Sequence, residues 1–201
     1  MIKSLLNKVI GVKHLYFYII LYVITYLPIL FYPIDGDHWT YAYIGNKFLN
    51  GEKLYTQLFD GNFPTLYMLN GLFLNVGDSI WVTRFLLIFF SISSVIAFYK
   101  LTKVAVIYLR LEGVQVENYT IVSLTSFIVV ANPSFIYGSG NSADSIALSF
   151  LLWGIYLYFL NKYQRILLYD LYMGILWGFI ITLKPVWLIF GALLMVDFLL
   201  A

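Results

Sequence analysis

The amino-acid sequence predicts an all-α, polytopic helical membrane protein with about six membrane segments and a long first outer loop that carries two interfacial helices. Of its 201 residues, 62% are hydrophobic and only 11% are charged, whereas soluble domains average about 25% charged and about 45–50% apolar residues. The apolar residues fall into separate runs close to the roughly 20 residues that a membrane-spanning helix needs. Lysine and arginine cluster between alternate runs, which is the pattern that orients membrane segments.

The first apolar run, residues 14–33, is predicted to be an uncleaved membrane segment. It is too long for the apolar part of a signal peptide, and no small-residue cleavage site follows it. Lys3, Lys8 and Lys13 precede it, so its start is expected in the cytoplasm.

Residues 34–77 form the predicted outer loop. Asp35 and Asp37 precede a helix that Gly51 should end, and Pro64 should open a second helix, because acidic residues and proline favour helix starts and glycine favours helix ends. One face of the first helix is apolar and the opposite face holds Asn46 and Lys47. This pattern predicts helices lying on the membrane surface. An interfacial helix without chemistry remains an alternative. The apolar positions are Tyr41, Ala42, Ile44 and Phe48.

The remaining segments are predicted at residues 80–99, 119–136, 146–160, 168–183 and 186–201, all within a single membrane domain. The last two runs are shorter than a full crossing and are separated by Lys184 and Pro185. They are expected to form a re-entrant pair or two short helices, with one kinked helix disfavoured. The chain is expected to be part of a longer protein.

The distribution of charge predicts the orientation and excludes several function classes. Eight basic residues fall on the inner side and four at or near the outer side, which favours six crossings with both ends in the cytoplasm and a multi-pass location in the cytoplasmic membrane. The dispersed basic residues form no patch for nucleic acid. The chain lacks cysteine and has only two histidines, His14 and His38, so thiol chemistry, disulfides and histidine-rich metal centres are not expected.

The outer loop holds a series of residues in a single gapless register, which begins at Asp37 and ends at Pro64. The intervening members are Tyr41, Ile44, Gly45, Leu49, Gly51, Glu52, Tyr55, Phe59 and Asp60. This series resembles the first outer loop of GT-C-fold, polyprenyl-phosphate-sugar-dependent glycosyltransferases, in particular bacterial relatives of protein O-mannosyltransferases and lipid A aminoarabinose transferases. It departs at His38, where glutamate is usual, and at residues 61–64, where a basic, double-proline turn is usual.

The resemblance implies an inverting enzyme that moves a sugar from a polyprenyl-phosphate donor to a glycan, lipid or protein acceptor at the extracytoplasmic face. Such a transfer requires a carboxylate that removes the acceptor proton while the leaving group departs from the opposite side. Asp37 is the candidate general base, with helix capping as its alternative role. No cofactor is expected, and a divalent metal at Asp37 and His38 has only weak support.

Six further residues are candidates for substrate binding: Asp35, His38, Asp60, Arg84, Asp144 and Lys184. Arg84 offers planar donors for a phosphate leaving group, or else it snorkels to the headgroups or pairs with Asp78. Asp35 and Asp144 are equally suited to capping helices, and Asp60 to a turn. Lys184 follows the series Gly174-x-x-x-Gly178-x-x-x-Thr182-Leu183, which resembles a helix signature of the family but is also a generic close-packing motif. Lys184 itself would bind lipid phosphate or anchor the chain at the membrane interface.

Two other function classes remain open from the sequence. A non-catalytic or degenerate membrane subunit would account for the departures at His38 and Phe63-Pro64. A polysaccharide polymerase or a transporter would show an inverted repeat or paired broken helices. The sequence has one such break, at Lys184-Pro185, and no counterpart in its first half.

Overall fold

The computed structural model describes residues 12–27, 31, 36–57, 64–74, 79–111, 143–164, 166–183, 189 and 192. This part of the chain is all-α, as predicted. Its helices are α1 (Val12–Tyr26), α2 (Gly36–Leu49), α3 (Pro64–Leu74), α4 (Ser79–Leu111), α5 (Ala143–Gln164) and α6 (Leu167–Leu183). The predicted third segment, 119–136, lies outside the described residues, and so does nearly all of the predicted sixth, 186–201.

Within the described ranges, two helices are long and apolar enough to cross a membrane: Arg84–Ile107 in α4 and Asp144–Lys162 in α5. Shorter apolar helices are Leu15–Thr25 and Leu167–Leu183. Helix α4 continues about three turns beyond residue 99, where the second segment is predicted to end. Basic side chains do not stop a helix, because Lys and Arg are good helix formers whose aliphatic stems cover apolar surface.

Helices α4 and α5 pack side by side and run in the same direction. Phe90 contacts Phe150 with ring centroids 5.6 Å apart. Further along both helices, the indole of Trp153 donates a hydrogen bond of 2.9 Å to the hydroxyl of Ser93, and Lys100 lies over the same indole. Residue numbers therefore increase together along the contact. The N-termini of α4 and α5 lie at the same end of the pair.

Helix α6 returns antiparallel along α5. The side-chain amide of Asn161 donates a 2.5 Å hydrogen bond to Asp170 and accepts a 2.6 Å bond from the backbone of Ile166. At the other end of the hairpin, Phe150 and Phe179 have ring centroids 5.7 Å apart. The carboxamide of Asn161 both donates and accepts hydrogen bonds. Asn161 therefore links the end of α5 to the start of α6 across the short connection between them.

The end of α2 has the capping geometry predicted for Gly51, which adopts a φ of 95°. The backbone amide of Gly51 bonds to the carbonyl of Phe48, and that of Glu52 bonds to the carbonyl of Lys47, each at 3.1 Å. These two bonds define a Schellman motif. Lys47 also donates a 2.8 Å hydrogen bond to the carboxylate of Glu52, which raises the pKa of Lys47 above its ordinary value of 10.5. Helix α3 begins at Pro64, as predicted.

Helices α2 and α3 cross at two glycines. A Cβ atom on Gly45 would lie 2.5 Å from the carbonyl oxygen of Tyr67 and 2.7 Å from the amide nitrogen of Gly71. The backbones therefore touch, which only glycine allows at such a crossing. Ala42 and Ile44 of the predicted apolar face are buried, and Ile44 packs with Tyr67 of α3. Helix α3 thus covers much of the face that the sequence assigned to the membrane surface.

Four helices meet in one hydrophobic cluster, here called the junction cluster. It contains residues from the first turns of α3, the N-terminal parts of α4 and α5, and the end of α6: Leu66, Leu86, Phe90, Ile146, Ala147 and Leu183. Tyr41 of α2 packs against it. Helix α1 packs on a different side of α4, where Tyr18 and Tyr22 are buried in a cluster with Leu87, Val95 and Tyr99.

Candidate functional site

Three candidate residues that the structure describes, Asp37, Arg84 and Asp144, lie near the N-termini of helices that meet at the junction cluster. We call this end of the bundle the junction end. Arg84 precedes cluster member Leu86 by two positions, and Asp144 precedes Ile146 by two. Asp37 lies one turn before Tyr41 in α2. Lys184 follows Leu183 in the sequence but lies outside the described residues, as do Asp35 and Asp60.

Asp37 is the second residue of α2, since the helix begins at Gly36. Asp37 therefore lies within the first turn and not at the capping position before the helix. A carboxylate in the first turn interacts favourably with the positive end of the helix dipole. The side chains of Asp37 and His38 are outside the described part of the structure.

Arg84 is a buried cation near the start of α4. The residue is only 8% exposed, while its neighbour Trp81 is 47% exposed. The guanidinium carbon lies 5.2 Å from the centroid of the Trp81 ring, within the range of a cation–π interaction. A snorkelling arginine would hold its charged head at the surface. The burial of Arg84 favours a role inside the protein, where further interactions also engage it.

Asp144 occupies the first turn of α5 and is partly buried. It takes part in an interaction within the protein, and the adjacent Ile146 and Ala147 are fully buried. Asp144 is the second residue of α5, as Asp37 is of α2, so it lies within the first turn and not at the capping position before the helix. A carboxylate there interacts favourably with the positive end of the helix dipole.

The structure also identifies residues of the junction end that sequence reasoning missed. Tyr67 is 0% exposed, and its ring centroid lies 6.3 Å from that of Tyr41. Asn70 is buried, and its amide donates a 2.8 Å bond to the backbone carbonyl of Leu66. Trp81 could have been found from its i, i+3 spacing to Arg84, because residues three apart are neighbours on a helix. The contact between Tyr41 and Tyr67 is non-local and had no such signal.

Two features of the junction end can attract an anion: its helix N-termini and the guanidinium of Arg84. The N-terminal ends of α4 and α5 lie together there, and Leu66 and Tyr41 bring the early turns of α3 and α2 to the same cluster. Each helix N-terminus carries a partial positive charge from its unpaired amides. Together with the guanidinium of Arg84, these termini could hold a phosphate and leave carboxylates nearby for proton transfer.

Among the described residues, no group of three or more His, Asp or Glu side chains could hold a metal ion. The weakly supported site at Asp37 and His38 involves side chains outside that set.

No family model, curated protein or solved structure matches the chain.

Proposed function

We propose that this chain is the membrane module of a glycosyltransferase. It takes a sugar from a polyprenyl-phosphate carrier at the extracytoplasmic face of the cytoplasmic membrane and transfers it to a glycan, lipid or protein acceptor. The observation that supports this most is the buried Arg84, which lies at the end of the bundle shared by Asp37, Asp144 and several helix N-termini.

Membrane placement is supported by α4 and α5, which have the length and composition of membrane-crossing helices. They run parallel, so a chain that crosses with both must return between them. Residues 112–142, which connect them, exceed the roughly 20 residues that one crossing needs. Lys100, Lys103 and Lys162 lie towards the end opposite the junction end. The positive-inside rule then assigns the junction end to the outer side.

Binding of the polyprenyl-phosphate donor is supported by the positive groups of the junction end. Arg84 is buried and lies over the ring of Trp81, and a guanidinium presents planar, paired donors that match phosphate oxygens. The converging helix N-termini add to the positive potential. Arg84 would stabilise the negative charge that develops on the phosphate as the sugar leaves.

Asp37 would act as the general base. Its carboxylate accepts the proton of the acceptor hydroxyl while the hydroxyl oxygen bonds to the anomeric carbon of the sugar. The bond from that carbon to the carrier phosphate breaks on the opposite side, so polyprenyl phosphate leaves and the configuration is inverted. The helix start at Gly36 puts Asp37 one turn from Tyr41 and the junction cluster, where donor and acceptor would meet.

The proposal is tested by donor binding. The protein in nanodiscs should bind a synthetic polyprenyl-phosphate hexose, and Arg84→Gln should weaken binding about tenfold or more, as loss of a charged hydrogen-bonding partner of about 1.5–3 kcal/mol implies. Lys53→Gln is the matched control, because Lys53 is an exposed cation of the outer loop. Equal affinities of the Arg84 variant and the control would contradict the proposal.

A second candidate is a degenerate member that binds the donor without transferring the sugar. The substitution of the usual glutamate by His38 and the altered turn at residues 61–64 favour it. Donor binding that depends on Arg84, combined with sugar transfer that never exceeds background, would identify this case.

A further inference from the structure

At the end opposite the junction end, Lys100 of α4 lies against two aromatic rings of α5. Its ammonium nitrogen is 4.8 Å from the ring centroid of Trp153 and 5.6 Å from that of Tyr156. The two rings meet edge to face, with centroids 5.8 Å apart and planes at 77°. Lys100 is nonetheless exposed, so a ligand outside the protein can reach its ammonium group.

A hydrogen-bonded cluster between α4 and α5 fixes the orientation of these rings. The indole nitrogen of Trp153 donates to the hydroxyl oxygen of Ser93 at 2.9 Å, and the hydroxyl of Ser149 donates to the same oxygen at 3.0 Å. The hydrogen bond at its indole nitrogen therefore fixes the orientation of Trp153, and the face of its ring is turned towards Lys100. A site ordered in advance in this way loses little freedom when a ligand binds.

With Arg84 at the outer boundary of the hydrocarbon, Lys100 would lie close to the inner boundary. At 1.5 Å per residue it lies about 24 Å along α4 from Arg84, against a hydrocarbon thickness of about 30 Å. A lysine one turn inside that boundary extends its ammonium to the level of the lipid phosphates. Trp and Tyr are also enriched at this level of membrane proteins.

Other cations lie at the same end. Lys103 follows one turn later on α4 and lies over the ring of Tyr99 at 4.8 Å. Lys162 is exposed near the end of α5, which the parallel packing brings to the same side. Clusters of lysines next to membrane helices attract anionic headgroups.

We propose that Lys100, Trp153 and Tyr156 form a binding site for the phosphate of an anionic phospholipid in the cytoplasmic leaflet. The ammonium donates to phosphate oxygens, and the two rings hold the lysine in place and border the acyl chains. The site is separate from Arg84 and lies at the opposite end of the bundle. It requires the membrane placement argued above but not sugar transfer.

The experiment compares retention of phosphatidylglycerol and phosphatidylcholine by the purified protein in native mass spectrometry. The wild-type chain should retain phosphatidylglycerol preferentially, and Lys100→Gln should lower that preference about fivefold, the effect expected from one cation near an anionic surface. Lys100→Arg should restore it. Tyr156→Leu keeps the charge and removes one ring, so it should lower the preference by a smaller factor.

Lys162→Gln is the matched control, because it removes one exposed cation from the same end. It should change the preference less than Lys100→Gln does. Carbonate extraction and circular dichroism check that each variant is inserted and helical. The proposal is overturned if Lys100→Gln leaves the preference unchanged. It is also overturned if Lys162→Gln lowers the preference as much as Lys100→Gln, which would indicate general attraction to the surface.

Discussion

Gly45 of α2 and Gly71 of α3 bring two helix backbones into direct contact: a Cβ on Gly71 would lie 2.5 Å from the carbonyl oxygen of Gly45. Side-chain atoms cannot move aside to relieve such a clash, because the obstacle is backbone. This contact fixes α2 against α3.

Replacing either glycine by alanine is therefore expected to separate α2 from α3. Overpacking costs about 1–3 kcal/mol, and the rigid backbone on both sides favours the upper part of that range. Unfolding in mixed micelles with increasing denaturing detergent measures the loss, and faster proteolysis in the loop after Gly51 would report the separation.

Gly174→Ala is the matched control. Gly174 also lies within a helix, but a Cβ there would meet nothing within 4 Å. Alanine is the better helix former by about 1 kcal/mol, so this variant should be as stable as wild type or slightly more so. Equal stability of the Gly45, Gly71 and Gly174 variants would show that the close crossing is absent.

The orientation of the bundle is testable because the chain has no cysteine. Gln57 lies in the turn after α2, and Gln164 ends α5 at the opposite end of the bundle, and both are exposed. Single cysteines at these positions should react differently with a membrane-impermeant reagent in intact cells. Labelling is expected at position 57 and, at position 164, only after the cells are lysed.

The reverse labelling pattern would place the junction end in the cytoplasm and exclude an extracytoplasmic site there. Labelling of both positions in intact cells would contradict the assignment of the two ends to opposite sides. Cysteine at exposed Thr56, close to position 57, provides an independent check of the outer assignment.

Local signals in the sequence were sufficient for several features. Gly51 predicted the end of α2 and Pro64 the start of α3, because each residue constrains its own backbone. The apolar run at 168–183 matches α6 within one residue. These features depend on residues close together in the chain.

Features that depend on packing between distant residues could not be predicted in this way. No pattern in the sequence indicated that Gly45 would meet Gly71, or that α3 would cover the apolar face of α2. The sequence also left Arg84 divided among snorkelling, pairing with Asp78 and phosphate binding. The burial of Arg84 beside Trp81 disfavours simple snorkelling. The parallel pairing of α4 and α5 likewise follows from contacts such as that of Ser93 with Trp153.

Ser93 joins α4 to α5 through a hydroxyl oxygen that accepts bonds from both Ser149 and Trp153. Ser93→Ala should therefore destabilise the bundle. Hydrogen bonds between membrane helices average about 0.6 kcal/mol each, so about 1 kcal/mol is expected from two, measured by detergent-induced unfolding.

Ser94→Ala serves as the matched control. The hydroxyl of Ser94 donates only within its own helix, to the carbonyl of Phe90 at 2.9 Å, and that carbonyl keeps its helical partner. The Ser94 variant should be close to wild type in stability. If it loses as much as the Ser93 variant, the interhelical cluster makes no specific contribution.

Asp37→Asn tests the assignment of the general base. The substitution keeps the size of the side chain and removes the oxygen that accepts a proton. General-base catalysis contributes about 10²–10⁴-fold in rate, so sugar transfer by the protein, supplied with donor and acceptor, should fall by that factor. Donor binding should persist, because Arg84 is unchanged.

A structural role of Asp37 makes a different prediction. Asp37 lies in the first turn of α2, where loss of a negative charge costs about 0.3–1 kcal/mol of helix stability. Under that role, Asp37→Asn would lower stability slightly and leave transfer near normal, which would remove the catalytic assignment. Glu52→Gln is the matched control in the same loop: it breaks the ion pair with Lys47 and should leave transfer unchanged, so that loss of activity in the Asp37 variant alone identifies the carboxylate as the base.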